Sequence, residues 1–287
     1  MRLAVGWLGT VTVSKNGGAW RLAKGVEFVN IEDVIHDGDR FIAVGKGGKV
    51  GLSVDGGTWT FHDSGTAAWL KHVTIDAGTY AAVGKRGTIV TSTNGTKWTE
   101  RNTPTSSGLE SVAFGNSRFV AVGFKGTILY SDNGQRLIAA KSGTKEWLND
   151  VTFGGGIFVA VGANGTLLTS LDGKVWMRRS TGTETSLGGV AFGGRRFIIA
   201  GRAGLILESG QLAAPPEPPT LTATLAKGGK PRLVIDGQEG QLYRIEVSAD
   251  LRQWKVLKLI EGAAKPVEFV DESGTTERSR FYRTVTP

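Results

Sequence analysis

The chain has 287 residues, 43 of them glycine and none cysteine, with 34 basic against 26 acidic side chains and a formal net charge of +8. These counts exclude a disulfide framework, a thiolate metal site and a cysteine nucleophile. With 40% hydrophobic residues and no apolar run near the roughly 18 that a membrane helix needs, they also exclude a disordered chain and a helical membrane span.

From the first residues onward the sequence repeats. A Val/Ala-Gly pair ends at Gly6, Gly45, Gly84, Gly123, Gly162 and Gly201, a spacing of 39 each time. A second glycine column follows three residues later at Gly9, Gly48, Gly87, Gly126, Gly165 and Gly204. A third, Gly17, Gly56, Gly95, Gly134 and Gly173, follows an Asn/Asp column that begins at Asn16 and Asp55. Tryptophan closes the unit at Trp20, Trp59, Trp98 and Trp176, with Leu137 once in its place. Between these marks lie four short β-branched segments, clearest in residues 150–179, which we label A to D. A four-strand unit with a period near 40 predicts a β-propeller blade, and a chain this rich in Gly, Val and Thr without helical spacing does not form helical repeats. The expected fold is all-β: a six-bladed propeller over 1–212, a Pro-rich linker over 213–219 and a small β-sandwich over 220–287.

The box Ser-x-[Asp/Asn]-Gly-x-x-Trp, as in Ser53–Trp59 and Ser170–Trp176, resembles a shortened Asp-box, the repeat of bacterial neuraminidases. The whole unit is similar to propellers related to the photosystem II stability and assembly factor, which are abundant in bacterial surface and secreted proteins. This resemblance implies the fold and an extracellular or surface setting. It does not imply sialidase activity, since sialidases carry such boxes far from their active site. The propeller region has only two tyrosines, Tyr80 and Tyr130, both in regular strand columns, and no arginine triad can be assigned.

The repeat supplies 22 strands where six full blades need 24, because the first copy lacks its A strand and the last its D strand. Arg2 stands in a column otherwise held by Phe41, Tyr80, Phe119, Phe158 and Phe197. The expectation is that the natural chain starts about 20 residues earlier, with a signal peptide lost alongside, and that the absent strands would close the ring at its edge. Beyond the linker, Tyr243–Trp254 and Arg280–Arg283 resemble fibronectin-type-III-like modules at the ends of large secreted proteins of Verrucomicrobia, and Trp254 is expected in that module's core.

Two sets of residues break the repeat where the fold does not demand them. On the face shared by the D–A and B–C loops stand Trp7, Trp69, Trp147 and Phe124 with Lys46, Lys85, Arg86, Lys125 and Arg202, a mixture suited to stacking on rings and holding anionic groups, unless Trp69 and Trp147 serve instead to cap the core between blades. At the start of strand A stand Asp33, His72 and Asp150, which read first as structural or solvated residues of a hydrated channel and otherwise as candidates for an acid–base pair or a cation site at its mouth. His36 lies in a phenylalanine column and reads as packed, and His62 as solvated. No cofactor, phosphate-loop, hydrolase-elbow or metal-ligand motif is present. The leading expectation is a monomeric, non-catalytic propeller recognising a glycan or a protein. The alternative is a glycan-active hydrolase using the channel-mouth carboxylates. Nucleic-acid binding would require more than a modest charge excess, +7 of which falls in residues 1–212.

Overall fold

A computed structural model describes residues 2–24, 26, 30–76, 78–212, 220–226, 229–237, 242–249, 251, 254–261, 263, 265–272 and 280–285. The Pro-rich segment 213–219 lies outside the described residues. The first unit, Met1–Leu212, consists of six antiparallel sheets, each built from consecutive strands. Sheet one holds Arg2–Val5, Val11–Ser14 and Arg21–Leu22, the B, C and D positions. Sheet two holds Ile31–His36, Phe41–Gly45, Lys49–Ser53 and Thr60–Asp63. Sheet three holds Leu70–Asp76, Thr79–Gly84, Ile89–Ser92 and Thr99–Glu100. Sheet four holds Leu109–Gly115, Arg118–Gly123, Ile128–Ser131 and Ile138–Ala140, and sheet five Leu148–Gly154, Ile157–Gly162, Leu167–Ser170 and Met177–Arg179. Sheet six stops at its C strand, with Leu187–Gly193, Arg196–Gly201 and Ile206–Glu208. The short first and last sheets are those the repeat count requires.

A strand alternates its side chains between two faces, and here both faces are apolar. Each face is therefore buried against a neighbouring sheet. Ile42, Val44 and Val50 of sheet two meet Leu70, Val73 and Val90 of sheet three, and equivalent clusters lie between every other consecutive pair. The closing tryptophan sits in these seams. Trp59 is buried between sheets one and two, and its indole N–H donates to the Gly56 carbonyl at 3.0 Å. Trp98 and Trp176 make the same bond to Gly95 and Gly173.

The box builds the C–D turn around one carboxylate or amide oxygen. Asp55 Oδ1 accepts the backbone N–H groups of Gly57 and Thr58, both at 2.8 Å, and Asn94, Asn133 and Asp172 repeat the arrangement. These backbone bonds, led by that from Thr58, hold the Asp55 carboxyl below the usual carboxylate range. Adjacent turns are tied across the seam: Arg40 donates to the Asn94 carbonyl one sheet on, and Arg118 to that of Asp172. Arg40 is itself held by Asp37, which also accepts from the Tyr80 hydroxyl. His36 departs from its sequence reading. It is exposed, its ring edge-on to Phe41 at 4.6 Å, because its strand ends there and Nδ1 takes the Gly38 N–H of the turn.

Among the described residues, the outermost positions of sheets one and six are more exposed than their counterparts in the seams. Ile206 is 62% exposed although Ile128, in the same column of sheet four, is 1% exposed. Trp20 likewise is 47% exposed where Trp59 is 3%. The second unit, Ala213–Pro287, contains two three-stranded antiparallel sheets, one of Thr220–Leu225, Pro231–Asp236 and Val267–Val270, the other of Leu242–Ser248, Lys255–Glu261 and Phe281–Val285. Leu233, Ile235, Tyr243, Ile245 and Ile260 form its core. Trp254 is half-buried beneath the Arg283 guanidinium, 4.2 Å from the ring centre.

The contrast within one column gives a test of the packing account. Ile128→Ala removes a fully buried side chain and is expected to cost roughly 2–5 kcal/mol, whereas Ile206→Ala should cost less than about 1 kcal/mol. Equilibrium urea denaturation of the two variants reads the difference, and equal losses would mean that the face of sheet six is covered.

Candidate functional site

The face carrying the D–A and B–C loops is assembled by close backbone approach. The residue after each B strand donates its N–H to the carbonyl of the D–A loop residue in the same sheet: Lys46 to Asn30, Lys85 to Trp69, Phe124 to Gly108, Ala163 to Trp147 and Arg202 to Ser186, at 2.8–3.0 Å. This explains the first glycine column. A Cβ at Gly84 would run into the Trp69 carbonyl oxygen, and one at Gly162 into that of Trp147. The second column is equally constrained, since Gly87 has a φ of +72° and faces the Thr105 carbonyl. The tip between the two columns takes a left-handed conformation whatever its residue, including Arg86 at +62° and Lys125 at +54°. The fold thus fixes the backbone of this face and leaves the loop side chains to vary.

Two groups of the predicted residues come together. In the first, Lys85 and Lys71 place their ammonium groups 4.2 and 4.4 Å from the Trp69 ring centre, and Lys46 lies at 5.9 Å. Trp69 is half-buried, and its Nε1 is buried without a hydrogen-bond partner. Lys71 is paired with Glu32 of the preceding sheet at 2.9 Å. Glu110 stands beside Lys71 and Lys85, and burial raises its pKa against the lowering effect of those two cations. In the second group, Phe124 and Trp147 stack at 4.2 Å with 15° between their planes, and Trp147 is 53% exposed. Gly108 links the groups. It occupies the loop column held by the two tryptophans, and the empty Cβ position is 3.4 Å from the Phe124 ring and 3.9 Å from the Lys85 Cα. Arg86, Lys125 and Arg202 are exposed at their loop tips and join neither group, and the side chain of Trp7 lies outside the described residues.

Lys71 was not anticipated as part of this site. Its spacing of two from Trp69 was a usable signal. The further cause is a β-bulge: in all five A strands the register shifts at one position, leaving Glu32, Lys71, Glu110, Asn149 and Gly188 without a ladder partner. A bulge re-aims its side chain, and nothing in the residue pattern announces it.

The strand-A residues Asp33, His72 and Asp150 are arranged as links between sheets. Each side chain accepts the backbone N–H of the next sheet's innermost strand: Asp33 Oδ2 from Val73 at 2.9 Å, His72 Nδ1 from Val112 at 3.4 Å, and Asp150 Oδ2 from Val190 at 2.8 Å. Ser111, in the same column, accepts from Val151 at 3.3 Å and donates its hydroxyl to Asp150 Oδ1 at 2.7 Å. His72 Nε2 is also 3.5 Å from Asp33 Oδ2. An innermost strand has one edge without a ladder partner, and the neighbouring sheet satisfies one N–H there through a side chain. In sheet six the column holds Gly189. Among the described residues no group of three or more His, Asp or Glu side chains is placed to hold a metal ion. A broad depression of about 940 Å³ lined by Asn164, Arg178 and 179–184 contains none of the candidate residues.

No protein-family model and no curated protein sequence matches the chain. Solved structures do. YCF48 bound to D1 peptide is 17% identical, with a TM-score of 0.58 over 82% of this chain and 85% of its own. The WD40 beta propeller domain of Doa1 is 18% identical, with a TM-score of 0.50 over 82% and 84%.

The fold is a β-propeller.

BamB from Moraxella catarrhalis agrees, at 12% identity and a TM-score of 0.54 over 72% of this chain and 65% of its own. At such identities the likeness concerns the fold alone. Among the described residues of this propeller no helix is long and apolar enough to cross a membrane.

The inter-sheet links predict an asymmetry. Asp150→Ala strands the Val190 N–H group and is expected to destabilise the propeller by about 1–3 kcal/mol. Gly189→Ala, in the same column at the end of the series, should be near neutral, since its Cβ meets only ordinary contact, 3.7 Å from Asp150 Oδ2. Thermal melting of both variants checks this, and a neutral Asp150→Ala would show that the links carry no stability.

Proposed function

We propose that the chain is a non-catalytic binding or scaffold propeller, displayed outside the cell or on its surface, that engages a glycan or protein partner through the D–A/B–C loop face. The observation that carries this reading is the Phe124–Trp147 stack. A large indole more than half exposed, backed by a second ring stacked nearly parallel to it on a face whose backbone is held by hydrogen bonds, presents apolar area at little entropic cost to a ligand. The bonding of Asp33 and Asp150 favours binding over hydrolysis, because each carboxylate has an oxygen already taken by a backbone N–H of the next sheet and so serves as a link between sheets. The description of YCF48, a similar propeller, as bound to a peptide supports a recognition role for this fold. On this reading the six sheets are six blades, the first and last incomplete, and residues 220–287 form a β-sandwich of fibronectin-type-III-like character that follows the propeller through the Pro-rich linker.

The test is binding of the labelled full chain to immobilised glycan and peptide panels, with Trp147→Ala and Phe124→Ala beside the wild type. Binding should fall about tenfold or more in either variant with an unchanged melting temperature. Ligands retained equally by both variants would refute the assignment of this face. Glycan turnover abolished by Asp150→Asn would favour the hydrolase instead.

A further inference from the structure

The two groups on the loop face are continuous, and together they specify a ligand class. The Trp69 ring does not serve as a free stacking surface, because Lys71 and Lys85 sit over it. It acts as an anchor that gathers cations. Of the three ammonium groups, that of Lys71 is neutralised by Glu32. Among the described residues neither Lys46 nor Lys85 has an ion-pair partner, and both are exposed. Across the notch at Gly108 the surface changes character from cationic to flat and aromatic, ending in the exposed ring of Trp147.

A ligand matching this surface carries an anionic group and, one short step away, a flat apolar face. The backbone narrows the choice further. The N–H groups following the B strands and the D–A carbonyls on this face are already bonded to each other, so these segments give an extended peptide no ladder to join. What remains is reading by ring face and by charge, which suits a pyranose: its C–H face lies on an aromatic ring while a carboxylate on the same or the adjoining sugar reaches the lysines.

We propose that the loop face binds a uronate-containing polysaccharide, with the sugar ring stacked on Trp147, backed by Phe124, and the carboxylate held by Lys85 and Lys46. This inference rests on the assignment of the loop face made above and deepens it.

The experiment uses the full chain and three defined probes: oligogalacturonate, oligomannuronate and a hyaluronan oligosaccharide, each beside its methyl-esterified form, with poly-L-glutamate as the acidic-peptide control. Titration calorimetry is expected to show tighter binding of at least one acidic oligosaccharide than of its ester. The Lys46→Gln/Lys85→Gln variant should lose about tenfold affinity for the acid and leave the ester unchanged, and Trp147→Ala should lose about tenfold or more for both. Melting curves establish that the variants are folded, which the exposure of all three side chains favours. Absence of binding to all three acids, equal affinity for acid and ester, or poly-L-glutamate binding as tightly as the sugars would overturn the uronate assignment. If panel ligands of another kind still depend on Trp147 and Phe124, the loop face stands as a binding surface and only the ligand class fails. If nothing depends on those rings, both readings fail.

Discussion

Everything in the propeller unit depends on a sheet that has two apolar faces and cannot bury either of them alone. A four-stranded sheet of this length is not independently stable, so each repeat exists because the next one covers it. The Asp-box turns and closing tryptophans, the arginines that reach across to the neighbouring turn and the strand-A side chains that take the neighbouring amide all serve that one contact. The two exceptions confirm the rule by their exposure. On the outer face of sheet six Ile206 is 62% exposed, and at the outer side of sheet one Trp20 stands half in solvent.

The same constraint separates structure from function along the chain. Positions in the seams and turns repeat because the packing is the same in every sheet. The loop residues at the end opposite the boxes are bound into the fold by their backbones, so Asn30, Trp69, Gly108, Trp147 and Ser186 differ although their carbonyls make identical bonds. A hydrogen-bonded backbone whose loop residue types are free to vary is a sound platform for recognition, since the ligand meets groups already held in place. The glycine at Gly108 belongs to this logic as much as the tryptophans do, because its missing side chain opens the passage between Lys85 and Phe124.

Much of this was legible in the residues. A period of 39 without an insertion fixed the strand order, the incomplete first and last sheets, and the place of Trp59, Trp98 and Trp176 in the seams. Glycine abundance also had an address, with 17 of the 43 glycines in three columns, two of which prove to be sites of close carbonyl approach. What could not be read was geometry between repeats. The bulge that turns Lys71 towards Trp69 has no compositional mark. Asp33, His72 and Asp150 read as structural or solvated residues with a channel-mouth site as the alternative, and the structural use itself, satisfying an amide, is visible only once the next sheet is placed. Trp69 and Trp147 stood in the same column and looked equivalent, but their neighbours give one a coat of lysines and the other an open face.

If stability is transmitted from sheet to sheet and both ends are uncovered, it must decline towards the ends. Native-state hydrogen exchange on the full chain measures this directly, amide by amide. The account predicts the strongest protection in the B and C strands of sheets three to five, and progressively weaker protection in the equivalent strands of sheets two, one and six. Equal protection across all six sheets would contradict it, showing that the end faces are covered and that the propeller unfolds as a single closed unit.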